Sequence, residues 1–377
     1  MSYLLSFVVL MLTPLWSIEI GDSPESGYSS PAVTKDRIYI TGNIDGTHTV
    51  FCFDMNAKPV WRYQGGEAWI DMFSGTRSTP ILDHGKLYDE SPYGEIVCLD
   101  AETGKALWRR NVLDDYETPN ILYGRSGSLL IDGENLYTQL GGEKGTMLCL
   151  DKRTGNTIWL APSTGNAAGY GTPVMFEYDG IPMMAAMDAK GMFAVNRQSG
   201  TLLFHIRHPA RLDENISTPI YHAGKLFVTN GAGSDSKCFR LVRKGDDVEA
   251  KEIWSNHLMA NSHGGVVLLD GKLYGATNKR GGGFVCIDFQ TGADVFLDRR
   301  ITRGSFDIQD GVFYILTEFG EVVVAVPKEK NFEVLARLQL PGGEDGQTYS
   351  HPVMYGNRFY TRIGEKLHCI EVRKAEP

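Results

Sequence analysis

The chain has little of what marks a reactive or membrane-spanning protein. Its six cysteines, Cys52, Cys98, Cys149, Cys238, Cys286 and Cys369, form no Cys-Cys or Cys-x-x-C pair and no Cys/His cluster, so no zinc-ligand spacing is present. The apolar run Tyr3–Leu12 falls short of the ~20 residues that cross a bilayer. As an export leader it lacks a basic start and a small-residue cleavage motif. The segment 1–14 is still the candidate leader, and any cleavage must fall before Leu15. No linker, charge run or low-complexity stretch divides the 377 residues. Positive charge is in deficit: Lys and Arg number 37 against 46 Asp and Glu, a formal net charge of −9. That balance argues against nucleic acid as a partner.

Repetition is what the chain has in abundance. Its clearest phrases are Cys98-Leu-Asp-Ala-Glu-Thr-Gly104…Trp108 and Cys149-Leu-Asp-Lys-Arg-Thr-Gly155…Trp159. Weaker copies run Cys52-Phe-Asp54…Trp61, Val195-Asn-Arg-Gln-Ser-Gly200…Phe204 and Cys286-Ile-Asp-Phe-Gln-Thr-Gly292…Phe296, with degenerate ones at Cys238…Trp254 and Ala325…Leu335. A period of roughly 40–50 residues built from short strands signals a β-propeller. Each unit reads as four strands. The first follows a Ser/Thr-Pro step such as Ser78-Thr79-Pro80, where proline at the strand start loses no ladder bond. An Asp-Gly or similar turn joins it to the second, the strongest short hairpin signal. The second carries an aromatic (Tyr39, Tyr88, Tyr137, Phe227, Tyr274, Tyr314, Tyr360), the third the Cys-Leu-Asp phrase, and the fourth the Trp or its substitute.

Counting fourth strands gives eight, at Trp16, Trp61, Trp108, Trp159, Phe204, Trp254, Phe296 and Leu335-Ala336. The first precedes every other strand, and the last three strands reach the C-terminus without a fourth. Leu15–Ile20 is therefore expected to complete the blade begun by 351–373 and close the ring. The expectation is an all-β, eight-bladed propeller of four-stranded antiparallel blades over 15–373, with a tail at 374–377. Seven blades is the alternative, because the unit at 304–340 is the faintest. Cysteines at one repeat position stand a blade apart, beyond the ~7 Å Cα separation a disulfide allows, and read as small apolar core filler.

The Asp-x-x-Thr-Gly-x-x-x-Trp phrase, with Ser/Thr-Pro and Asp-Gly-x-x-Tyr upstream, resembles the PQQ-like (quinoprotein) β-propeller repeat family across nearly the whole chain. The resemblance implies that the fourth-strand tryptophans dock between blades. It also implies a choice of activities, since the family holds PQQ-dependent alcohol and sugar dehydrogenases, BamB-type outer-membrane assembly lipoproteins and bacterial secreted propellers. Single propellers of this length are most similar to the last two groups. The dehydrogenase branch implies PQQ with calcium, a vicinal Cys-Cys pair over the cofactor and a Glu, Asn and Asp set on the metal. This chain has no Cys-Cys pair, and no such set can be assigned residue by residue. The lipoprotein branch implies a Cys just after the leader, whereas the first here is Cys52.

Function is expected on the irregular face, which carries the second-to-third hairpins and the blade-to-blade connections. The longest connections are 65–76 and 112–125. Trp69, the one Trp off the repeat position, is a candidate contact residue or a cap over the blades. Residues just before each first strand should ring a central funnel: Tyr28, Arg77, Arg125, Tyr170, Asn215, His263, Arg303 and Tyr349, with His351 a step further. Converging arginines suit a carboxylate or phosphate, and Asp71, Asp114, Asp115 and Glu117 could pair with them or form an acidic rim. The expected function is a non-catalytic binding or scaffolding propeller of the bacterial cell envelope, holding a protein segment or an anionic small molecule and reaching a membrane through its partner. A PQQ-dependent oxidoreductase of alcohols or sugars is the alternative. A carbohydrate-active enzyme has no motif behind it. Localisation follows from export: periplasm or envelope with a leader, cytoplasm without one.

Overall fold

Each turn of the repeat closes with bonds its sequence supplies. Asp100 Oδ1 accepts hydrogen bonds from the Thr103 amide (2.9 Å) and hydroxyl (2.7 Å), and Asp288 does the same for Thr291. The first-to-second turns are tight: His84-Gly85, Asp270-Gly271 and Asp310-Gly311 have φ of +44°/+75°, +48°/+74° and +53°/+76°. This double left-handed step matches the twist of the flanking strands.

The computed structural model describes residues 10–22 and 27–374. These form eight four-stranded antiparallel sheets. Seven follow the chain in order, spanning 32–67, 81–111, 130–160, 174–207, 220–256, 266–298 and 304–339. The eighth joins Val353–Tyr355, Arg358–Ile363 and Lys366–Lys374 to the N-terminal strand Leu10–Glu19. The faint unit at 304–340 is a complete blade, so the count is eight rather than seven. Trp16 faces Cys369 across the closing pair. The closing strand begins at Leu10, opposite Lys374, five residues before the expected Leu15. Ile20 lies just past its end, buried, with its amide bonded to Glu365 O at 2.8 Å. The candidate leader 1–14 thus overlaps the strand; its first nine residues, and the tail beyond 374, lie outside the described residues.

The cysteines occupy the middle of a transverse row. Tyr39, Cys52 and Trp61 are neighbours across three strands, as are Tyr88, Cys98 and Trp108, and Tyr137, Cys149 and Trp159. The two rings lean over the small residue with centroids 5.9, 6.2 and 5.8 Å apart. A bulkier side chain would force them apart, which accounts for Cys at this position. All six thiols are free and buried. Burial pushes Cys149 up to about 12, far from thiolate chemistry.

The tryptophans then link blades. The indole N–H groups of Trp61, Trp108 and Trp254 donate to the carbonyls of Ala101, Lys152 and Phe289 in the next blade (3.1, 2.9 and 3.1 Å). Each ring lies on the glycine of that blade's Thr-Gly turn; a Cβ on Gly155 would stand 2.7 Å from Trp108. The Ser/Thr-Pro steps act at the hub. The amide of His351 donates to Ser30 Oγ, Ser30 to Thr79, Thr79 to Ser128 and Ser128 to Thr172, each at 2.9–3.2 Å. Residues before the inner strands of five successive blades are thereby tied blade to blade.

Candidate functional site

Above this arc of hydroxyl bonds the irregular face opens as a funnel of about 660 Å³. Seven of the expected residues line it: Tyr28, Arg77, Tyr170, His263, Arg303, Tyr349 and His351. Tyr28 stacks on Tyr349 (5.6 Å, 21°), and His263 packs on the same Tyr349 at 4.3 Å. His351 Nε2 bonds to His263 O at 2.9 Å. Burial lowers the proton affinity of His351, leaving its imidazole neutral near pH 7. Burial raises the Tyr170 phenol to about 12.

Three expected residues lie elsewhere. Arg125 is only 5% exposed and pairs with buried Glu90 at 2.8 Å, with further bonds to Thr138 and the carbonyls of Gln139 and Leu140. It braces two blades and does not reach the funnel. Asn215 is fully buried, its amide donating to Asp188 O and His208 O. Trp69 is 6% exposed. It packs on Tyr93 and over Gly124, and its indole N–H bonds to Met72 O. Trp69 is the cap; Ile70, Met72 and Phe73 beside it are the exposed groups.

The expected convergence of three arginines is not formed. Arg303 is neutralised by Glu318 at 2.6 Å, and Glu318 Oε1 also stands 3.2 Å from His263 Nε2. Arg77 alone meets no carboxylate among the described residues. It bonds to the carbonyls of Gly75 (2.8 Å) and Phe73 and lies over Tyr28 and Trp69. Burial lowers it to about 10, so it stays charged at neutral pH. The loop carboxylates do not reach it: Asp115 pairs with Arg110, Glu117 with Lys144, and Asp71 bonds to the Met72 amide.

Glu214, Glu318, Tyr123 and Phe73 line the funnel without having been singled out as candidates. A signal for Glu318 existed. Polar residues stand at or within two positions of the end of several second strands on this face: Glu90, Gln139, Asp188, Asn278, Glu318 and Arg362. With two glutamates against two arginines the funnel is charge-balanced, a poor match for a tricarboxylate quinone. Among the described residues no three His, Cys, Asp or Glu side chains cluster as a metal site. Glu318 is committed to Arg303, and Glu214 accepts the Tyr123 hydroxyl. The donor set does not fit PQQ held with calcium.

The family model for outer membrane protein assembly factor BamB matches residues 62–296. The chain belongs to this family. It is 24% identical over 220 residues to outer membrane protein assembly factor BamB of Xanthomonas campestris pv. campestris, covering 57% of this chain and 49% of that one. It is 28% identical over 115 residues to the quinohemoprotein alcohol dehydrogenase ADH IIB of Pseudomonas putida, covering 28% and 16%. Neither relative is matched over two thirds of its own length. The crystal structure of BamB from Moraxella catarrhalis superposes with a TM-score of 0.67 at 16% identity, covering 96% of this chain and all of that one. At that identity the likeness establishes the fold.

Proposed function

We propose that this protein is a non-catalytic binding propeller of the bacterial cell envelope, whose irregular face and funnel hold a segment of another protein. One observation carries the reading: Ile70, Met72, Phe73, Leu122, Leu212 and Phe319, all exposed, lie on loops of that single face. Exposed apolar side chains on the loops of one face mark an interaction surface, and the tyrosine-lined cavity on that face, which Phe73 also lines, offers large rigid contacts. The description of the matching family as an outer membrane protein assembly factor supports a protein partner and an envelope location.

The oxidoreductase reading draws on the likeness to a quinohemoprotein alcohol dehydrogenase; the balanced charge of the funnel weighs against it. The test is to titrate PQQ with calcium while following the melting temperature and dye-linked oxidation of alcohols and sugars. The binding-module reading predicts no calcium-dependent stabilisation and no turnover. Stabilisation together with turnover would replace it with the enzyme.

A further inference from the structure

Resting on the funnel as a recognition site, two of its charges define what it recognises. Arg77 enters from the connection between the first two blades and meets no carboxylate among the described residues. The carbonyls of Gly75 and Phe73 tether its guanidinium to its own loop. Glu214 enters from the connection between the fourth and fifth blades and meets no cation among the described residues; it accepts one hydrogen bond, from Tyr123, at 2.9 Å. Aromatic rings stand between them: Tyr123 contacts Phe73 at 5.6 Å and Tyr170 at 5.9 Å. Tyr170 is within electrostatic reach of both charges. The remaining charged pair, Arg303 and Glu318, cancels internally.

A half-buried charge held away from its counter-charge is costly unless something bridges the gap. We infer that the funnel takes a ligand with one carboxylate and one ammonium group at opposite ends of an apolar or aromatic body, the carboxylate on Arg77 and the ammonium on Glu214. A short free peptide has this chemistry in its termini; an internal segment has it in one acidic and one basic side chain. A pure anion leaves Glu214 unanswered, and a pure cation leaves Arg77 so. The cavity of about 660 Å³ lies within the roughly 300–1,000 Å³ that small-ligand sites occupy.

The test is calorimetric titration of the full chain with four probes: the free tripeptide Ala-Phe-Ala, its N-acetyl form, its C-terminal amide, and the blocked pentapeptide Ac-Lys-Ala-Phe-Ala-Glu-NH2. Binding of the free tripeptide identifies chain ends as the source, and binding of the pentapeptide identifies side chains; either supports the inference. Blocking one charge of the tripeptide should weaken it roughly tenfold to a hundredfold, the worth of a charge-assisted hydrogen bond. Arg77→Gln should erase the difference between the free and amidated forms. It also releases the loop, so Glu214→Gln, which keeps an acceptor for Tyr123, is the second variant. It should erase the difference between free and acetylated forms. Equal binding of free and singly blocked tripeptides by the native chain would overturn the inference, as would no binding of any probe at millimolar concentration. Cross-linking of a protein from Phe73 in that case would leave the broader binding reading standing.

Discussion

Removing the Arg362 side chain tests how the ring is shut. This residue belongs to the last blade, yet it is buried at the seam with the first. Its Nη1 donates to Ser29 Oγ (2.8 Å), Thr41 O (2.6 Å) and Thr76 Oγ1 (3.1 Å), its Nε to Gly364 O (2.7 Å), and its Nη2 to Glu365 Oε2 (3.3 Å). Arg362→Ala takes one of three side-chain donors from Thr41 O, which keeps Ser29 Oγ and Thr76 Oγ1, removes the donor to Gly364 O, and leaves the Glu365 carboxylate, already pushed toward its neutral form by burial, without its cation. Losing one partner of a buried pair costs about 3–5 kcal/mol. The cavity left behind adds to that. The expected result is a fall of that size in unfolding free energy by urea titration, with faster hydrogen exchange concentrated in 27–44 and 358–366. Glu365→Gln leaves the other four bonds in place and should cost much less. A loss below about 1 kcal/mol for Arg362→Ala, or exchange spread evenly over all blades, would refute the account of the seam.

Two further outcomes follow from the packing. Gly292→Ala would place a Cβ 2.5 Å from Trp254 at φ +73°, so a loss of roughly 1–3 kcal/mol is expected in thermal melts, whereas alanine at exposed Gly245 meets no neighbour and bears only the φ cost. Burial lowers His208 and His368 to about 4 from an ordinary 6.5. The unfolded chain therefore binds these protons first: the stability they protect is complete above pH 6.5 and falls as pH drops towards 4, by at most about 1.4 kcal/mol per pH unit per group. Urea midpoints measured at pH 7.5 and 5 should show the fall, and His208→Leu with His368→Leu should flatten it; an unchanged slope would contradict the assignment.

The scaffold was legible because its signals are local and recur. Thr-Gly turns, Asp-Gly turns and the tryptophans each specify a bond or a φ within a few residues, and faint copies are secured by clear ones. Even the transverse row of Tyr, Cys and Trp follows from alternation along three strands. The funnel was legible in outline, since residues preceding the inner strands do converge on it. Its charge balance was not. Glu90, which silences Arg125, is 35 residues away in sequence, and Tyr123, which holds Glu214, is 91 residues away. Trp69 read as either a contact or a cap because its burial depends on Tyr93 and Gly124, which belong to other segments. The closing strand read as too short because Leu10–Pro14 continues an apolar run that resembles a leader.

The claim that the irregular face meets another protein is tested most directly by placing a photo-activatable cross-linker, one position at a time, around the molecule in living cells. Phe73 lines the funnel and Phe319 stands exposed on the hairpin beside Glu318 on the same face, while His84 is exposed on a tight turn of the opposite face. The account predicts discrete protein adducts from Phe73 and Phe319 and none from His84. Adducts from His84 alone, or from no position on the irregular face, would contradict it.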